Sequence, residues 1–457
     1  MTRWPADEVG LLQPGARRGE IVELVDERSY MEGVLAFERA LARASAVAGL
    51  IPAEAAAAIE NVCVVGSIDW ASLGSRAEAS GSPVIPVIED LCAAAEPIAA
   101  SFIHYGATSQ DAWDTATVLV ARRVLASCME ATADAASGLA GLARREARTL
   151  MVGRTLGQHA GPYSLGLKAA GWCLALVDSH RCLRSARGRL AVQLGGATGT
   201  LAAFGEMGPR VRGHMAAELG LYNPVLPWHT NRASIVGLGS ALALVASVWS
   251  KIATDVILLS QTEVGELRET GAGRGRSSAM PHKANAVRAI EVRAGALRAP
   301  GLLATLFAAT AQENERGAGT WQAEWVPLRD LLLLSGSLAL QGRDLCAALE
   351  VDRDRMRRNF ALLRGLPMSE QLANRLTPHV GRMQAQEIVR ELVAVVCADG
   401  TSTLLGAASR DPRVREWCSE EELASLLEAE LAPLEASRLV GDALAAFEAS
   451  GIDVDRG

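Results

Sequence analysis

Apolar positions recur three or four residues apart over long stretches of this 457-residue chain, the spacing of helix faces rather than strands. Trp249, Ile252, Val256 and Leu259 fall on one helical face by that rule. Proline placement sets how far such helices run, because helix interiors exclude it. None occurs between Pro97 and Pro162, between Pro162 and Pro209, or between Pro227 and Pro281. The last gap predicts one helix from Asn231 to Thr270, about 60 Å long at 1.5 Å per residue. Another is predicted around Ser29–Leu50, with Ile51-Pro52 as its break. Alternating Val/Ile/Thr runs with turn dipeptides are nearly absent, so almost no strand is expected. The pattern predicts an all-α protein with a central long-helix bundle over residues 103–342. An N-terminal helical domain over 1–102 and a C-terminal one over 343–457 flank it. Helices apolar on several sides need partners, which predicts a homo-oligomer.

Composition agrees, since alanine and leucine dominate and both keep their side-chain freedom in a helix. A net charge of -7 with no basic stripe argues against nucleic acid as a partner. Arg232 and Lys251 bound 18 uncharged residues, the minimum for a membrane span. Ser234, Ser240 and Ser247 interrupt them, and the same period continues beyond with charges. A buried bundle helix is the better reading, and no membrane partner is expected. Eight cysteines occur without a C-x-x-C pair, which reads as reduced thiols and neither a disulfide frame nor a metal site. The first residues show no basic n-region and no apolar h-region, so no signal peptide is expected and the location is read as cytoplasmic.

The chemistry concentrates in residues 271–291, GAGRGRSSAMPHKANAVRAIE. Three glycines in five residues make a pliable entry, as a lid needs. The hydroxyls of Ser277 and Ser278 follow, then Met280, Lys283 and Asn285. Asn285 reads as the N-cap of the next helix. Its amide, Lys283 and the helix N–H groups together suit a carboxylate.

This loop resembles the G-S-S-x-M-P-x-K-x-N signature of the fumarase/aspartase superfamily. Ser277, Ser278, Met280, Pro281, Lys283 and Asn285 match it. Two further blocks appear in the expected order. One is His104-Tyr-Gly-Ala-Thr108-Ser109-Gln110-Asp111-Ala-Trp-Asp114-Thr115, and the other is Gly153-Arg154-Thr155-Leu156-Gly157-Gln158-His159-Ala160. The segments around Glu38, Trp228–Arg232 and Glu315–Trp325 resemble the 3-carboxy-cis,cis-muconate cycloisomerase branch. The resemblance implies a three-domain helical fold and a homotetramer whose active sites each draw on three subunits. It implies Ser277 as catalytic base and His104 as a second catalytic group. It also implies Thr108, Ser109, Gln158, Arg232, Ser278, Met280, Lys283 and Asn285 as substrate contacts, a small dicarboxylate as substrate, and no cofactor or metal.

In that family a proton leaves the carbon beside a carboxylate, and a group departs from the neighbouring carbon. Members that expel basic groups carry R-T-H where this chain has Leu156, and leucine donates no proton. Arg276, Ala284, Ala286, Asn314 and Gln386 also depart from the cycloisomerase pattern. The expected reaction is elimination of a weakly basic group from a succinate-type substrate, with nitrosuccinate giving fumarate and nitrite. The alternatives are lactonisation of carboxymuconate and a non-catalytic homologue of the lens-protein kind.

Overall fold

The computed structural model describes residues 19–271, 275, 279–280, 282–427 and 434–452. Helices dominate them. Those that position the site are α1 (Glu27–Val47), α2 (Ala53–Val62), α3 (Ser109–Arg145), α4 (Leu165–Gly188), α5 (Gly208–Leu219), α6 (Ala233–Leu259) and α7 (Val287–Ala296). Four more follow: α8 (Trp325–Ala347), α9 (Arg353–Ala361), α10 (Ser369–Val380) and α11 (Arg382–Asp399). The chain divides into two compact units. One comprises Met1–Thr132, Ser179–Lys251 and Glu291–Gln341, the other Ala133–Asp178, Ile252–Ile290 and Gly342–Gly457. The divisions fall inside α3, α4, α6, α7 and α8.

In the first unit, the Asp26 carboxylate caps α1 by accepting the Ser29 amide at 2.8 Å. α1 packs on α2 and α5 and backs closely onto α3. A Cβ added at Gly33 would lie 2.8 Å from the Ala116 Cα, so only glycine allows this approach. The first turns of α3 are braced by ring contacts, Tyr30 stacked on Trp113 at 5.2 Å and Trp113 tilted against Trp325 at 5.1 Å. α6 and α8 meet where the Ser335 hydroxyl donates to the Leu242 carbonyl at 3.1 Å.

In the second unit, α10 and α11 pair over a core of Leu372, Leu376, Ile388, Leu392 and Phe360. Trp172 of α4 donates its indole N–H to Asp255 of α6 at 2.7 Å. Strands β1 (Leu150–Thr155) and β2 (Gln158–Ser164) form an antiparallel hairpin packed on α9. A second antiparallel pair joins β3 (Leu267–Glu269) to β4 (Leu349–Val351).

One expectation needs correction. The helix expected over Asn231–Thr270 is α6, which stops at Leu259. Gly265 takes a left-handed φ of 58° just beyond it, and Leu267–Glu269 then pairs as a strand. Proline spacing bounds a helix from above and does not mark where it ends. Strands are few among the described residues, as expected, but the second motif block is itself a hairpin. Its turn, Leu156-Gly157, has φ of 50° and 79°, the sign pattern of a type I′ turn. Such turns favour Asn-Gly, so Leu-Gly hid the hairpin from a sequence reading.

α6 is the one helix among the described residues long and apolar enough to cross a membrane. Trp249, Ile252, Val256 and Leu259 are all buried on its predicted face, and Gly239 lies against Leu306 and Leu331. These are the surroundings of a core helix.

Candidate functional site

The residues expected to act together fall in both units. His104, Thr108, Ser109 and Arg232 lie in the first, Gln158, Met280, Lys283 and Asn285 in the second. Ser277 and Ser278 lie outside the described residues.

The first group is organised by α3. Asp111, wholly buried in its first turn, accepts four hydrogen bonds. They come from the amides of Thr108 (3.1 Å), Gly195 (2.9 Å) and Gly196 (2.8 Å) and from the His229 ring at 2.7 Å. Ser109 opens the helix and Thr108 precedes it, so Asp111 fixes both hydroxyl-bearing residues against the Gly195–Gly196 loop. That loop must be glycine, since a Cβ at Gly195 would come within 2.7 Å of the His229 ring. The Thr108 hydroxyl accepts from Arg316 at 3.0 Å and so keeps its own proton to donate. Arg316 also donates to the carbonyls of Gly196 and Ala197.

His104 has a left-handed φ of 58°, a strained position for a non-glycine residue. The Glu38 carboxylate holds it there, binding its backbone N–H at 3.0 Å and Nδ1 at 2.6 Å. A carboxylate only accepts, so Nδ1 carries the proton. Burial disfavours the imidazolium, but the Glu38 charge and hydrogen bond outweigh this, and His104 stays protonated above the usual histidine range.

Arg232 is 3% exposed. Its guanidinium donates to Asp114 at 2.8 and 3.1 Å and to Glu324 at 2.8 to 3.1 Å. Burial works against its charge, but these two carboxylates hold it in the cationic form. Asp114 further accepts from Gln110, Gln193 and Trp321. In this geometry Arg232 organises α3, α6 and α8, and a substrate contact would require it to release a carboxylate.

The second group stands on the hairpin and the loop before α7. Arg154 in β1 is clamped by the wholly buried Glu266 at 2.9 and 2.6 Å. Glu266 also accepts from Asn359 at 2.8 Å. This clamp holds a hairpin whose tip is solvent-facing in the single chain, with Gln158 exposed and Leu156 fully so. Lys283 and Met280 are likewise exposed. Asn285 corrects the capping expectation. α7 begins at Val287, and the Glu269 carboxylate takes its first amides, Arg288 at 3.1 Å and Ala289 at 2.8 Å. The Asn285 side chain instead donates to the Gly275 carbonyl at 3.0 Å, as does its backbone N–H. These bonds close the neck of the loop, and a Cβ at Gly275 would collide with the Asn285 carbonyl. The expected cradle therefore loses its helix amides to Glu269 and keeps the Lys283 ammonium.

Sequence reading missed Glu38, Arg316, Glu266 and Glu269 as organisers, and the Gly195–Gly196 loop as a site wall. The paired glycines were a readable signal. The carboxylates were not, because each acts on a residue far away along the chain. Among the described residues no cluster of three or more His, Cys, Asp or Glu side chains is arranged to hold a metal.

Two outcomes follow. Arg232→Ala leaves Asp114 and Glu324 buried without their cation and lowers stability by about 3–5 kcal/mol in denaturant titration. Unchanged stability with a raised KM would instead make Arg232 a substrate ligand. The His104–Glu38 pair adds stability that is complete below the ordinary histidine value of about 6.5 and fades as pH rises through the raised value. Denaturation of wild type and His104→Asn therefore differs most at low pH and converges at high pH. A difference independent of pH contradicts this.

A profile of the lyase family matches residues 16–301. The chain is 43% identical to a 3-carboxy-cis,cis-muconate cycloisomerase of Pseudomonas aeruginosa, over 88% of each chain. It is 40% identical to a nitrosuccinate lyase of Streptomyces davaonensis, over 92% of this chain and 91% of that one. The crystal structure of a 3-carboxy-cis,cis-muconate lactonizing enzyme from Pseudomonas putida superposes with a TM-score of 0.88 at 39% identity. That match covers 94% of this chain and 97% of the other. With its helical fold, its three motif blocks and these matches, the chain belongs to the lyase family of the fumarase/aspartase superfamily.

Proposed function

We propose that this lyase eliminates a weakly basic group from a succinate-type dicarboxylate, and that its substrate is nitrosuccinate, giving fumarate and nitrite. The observation that carries the reading is Leu156. It occupies the tip of the β1–β2 hairpin, 102% exposed, where basic-group lyases of the superfamily carry a histidine. A leucine there supplies no proton to a departing group. Nitrite and carboxylate leave as stable anions and need none. Similarity to a nitrosuccinate lyase over most of both chains supports the choice.

Ser277, ionised in its loop, takes the proton from the carbon beside one carboxylate and becomes the neutral hydroxyl. The electron pair moves into that carboxylate as an aci-carboxylate dianion, then forms the carbon–carbon double bond as nitrite leaves with its own pair. The dianion forms only against fixed donors in a site closed to water. Lys283, Thr108 and Ser109 supply those donors in this reading. Met280, Ser278, Asn285 and Gln158 shape the pocket, and His104, held protonated by Glu38, adds a positive charge.

The units that bear these residues are brought together in a homotetramer of three-domain chains, each site drawing on several subunits. The exposed Leu156, Leu297, Phe307 and Val326 suit contacts with other copies. The protein works in the cytoplasm without a cofactor.

The second reading is lactonisation of 3-carboxymuconate, favoured by the 43% identity to a cycloisomerase. Against it stand Arg276, Ala284, Ala286 and Asn314, which depart from that branch around the substrate.

Proton NMR of the enzyme with each compound decides between the two. Nitrosuccinate is expected to give the fumarate vinyl signal with equimolar nitrite. Lactone from carboxymuconate, without fumarate from nitrosuccinate, overturns the first reading. Ser277→Ala is expected to lower turnover by about 100-fold or more, with helical content unchanged by circular dichroism. Full turnover in that variant removes the base assignment.

A further inference from the structure

The second unit contains a cleft of about 490 Å³ that the proposed chemistry leaves unused. Four guanidinium groups line it, those of Arg145, Arg148, Arg353 and Arg357, with Thr149 and Phe360. The concentration is local, since the whole chain carries a net charge of -7. Two elements contribute. Arg145 ends α3 and Arg148 lies in the turn after it, while Arg353 and Arg357 stand four apart on α9 and share its face.

Only part of this charge is neutralised. Arg353 binds Glu146 through Nε at 2.9 Å and through Nη2. Glu146 is 1% exposed and also accepts from the Thr149 hydroxyl at 2.6 Å. Arg357 reaches Asp354 at 2.8 Å, but both side chains are largely exposed and such pairs are worth little. Arg145 acts on Glu146 through its charge without bonding to it, and Arg148 makes no hydrogen bond or ion pair among the described residues.

A helix C-terminus attracts cations and accounts for Arg145 by itself. It does not account for Arg148 beyond the helix, nor for α9. Arg353 sits in the first turn of α9, where a cation opposes the helix dipole, and Arg357 repels it from one turn on. An arrangement of this kind gains from an incoming anion. Guanidinium forks match carboxylate and phosphate oxygens two at a time, and the buried Phe360 ring offers an apolar floor.

We propose that this cleft is a second, non-catalytic anion site, taking a small molecule with at least two carboxylate or phosphate groups. It is independent of the substrate assignment, because none of its residues belongs to the proposed active site.

Calorimetric titration of the intact enzyme at low ionic strength tests it, with citrate and pyrophosphate as separate probes. The comparison is the Arg145→Ala/Arg148→Ala double variant, whose side chains are exposed. Saturable binding of at least one probe is expected, weakened by about tenfold or more in the variant. Thermal midpoint without anion, and lyase turnover, are expected to stay as in wild type. Binding of citrate alone assigns a polycarboxylate, and of pyrophosphate alone a phosphate compound. No saturable binding of either probe, or equal binding by the variant, overturns the site.

Discussion

Asp111 is a carboxylate with no access to water, and such a group is tolerated only when its oxygens are filled by donors. Three backbone amides and an imidazole fill them. One helix turn later Asp114 repeats the arrangement with Arg232, two glutamines and a tryptophan. Because each donor comes from a different part of the chain, satisfying two buried charges gathers Thr108, Ser109, the Gly195–Gly196 loop, His229 and Arg232 around one helix end. Losing any donor leaves a buried charge short of partners. Apolar packing builds the first unit, and electrostatic satisfaction at α3 sets the geometry of this helix end.

The second unit uses acidic residues in the same way around its loop. Glu266 anchors the hairpin through Arg154, and Glu269 closes the start of α7. Glu266 precedes β3 and Glu269 ends it, and the pairing of β3 with β4 gives both a rigid base. The loop between β3 and α7 is thus held at both roots and at its Gly275–Asn285 neck. The hairpin tip, in contrast, presents a leucine in a left-handed conformation to solvent, a combination that makes sense when another surface covers it.

Much of this was legible in the sequence and some was not, for physical reasons. The 3.6-residue period and the proline gaps disclosed an all-α fold and placed α1 close to its observed bounds, because both signals are local. The end of α6 and the β1–β2 hairpin escaped, since no proline marks the one and an atypical Leu-Gly turn closes the other. The motif blocks pointed to His104, Thr108 and Asn285 as residues, but not to what holds them. Glu38 lies 66 residues from His104 and Arg316 lies 208 from Thr108, and no spacing rule reaches that far. The neighbours of Arg232, Asp114 and Glu324, were likewise invisible in sequence, and they engage its guanidinium on both sides.

We propose that the hairpin tip gives the departing group no proton, with His104 serving as a fixed charge, so leaving-group basicity limits what this site can cleave. The most direct measurement compares fumarate formation from nitrosuccinate and malate by the same enzyme preparation. These substrates share a carbon frame and two carboxylates and differ in what departs. Fumarate from nitrosuccinate alone is the predicted result. Comparable rates with malate would contradict the account, because hydroxide leaves readily only when an acid protonates it.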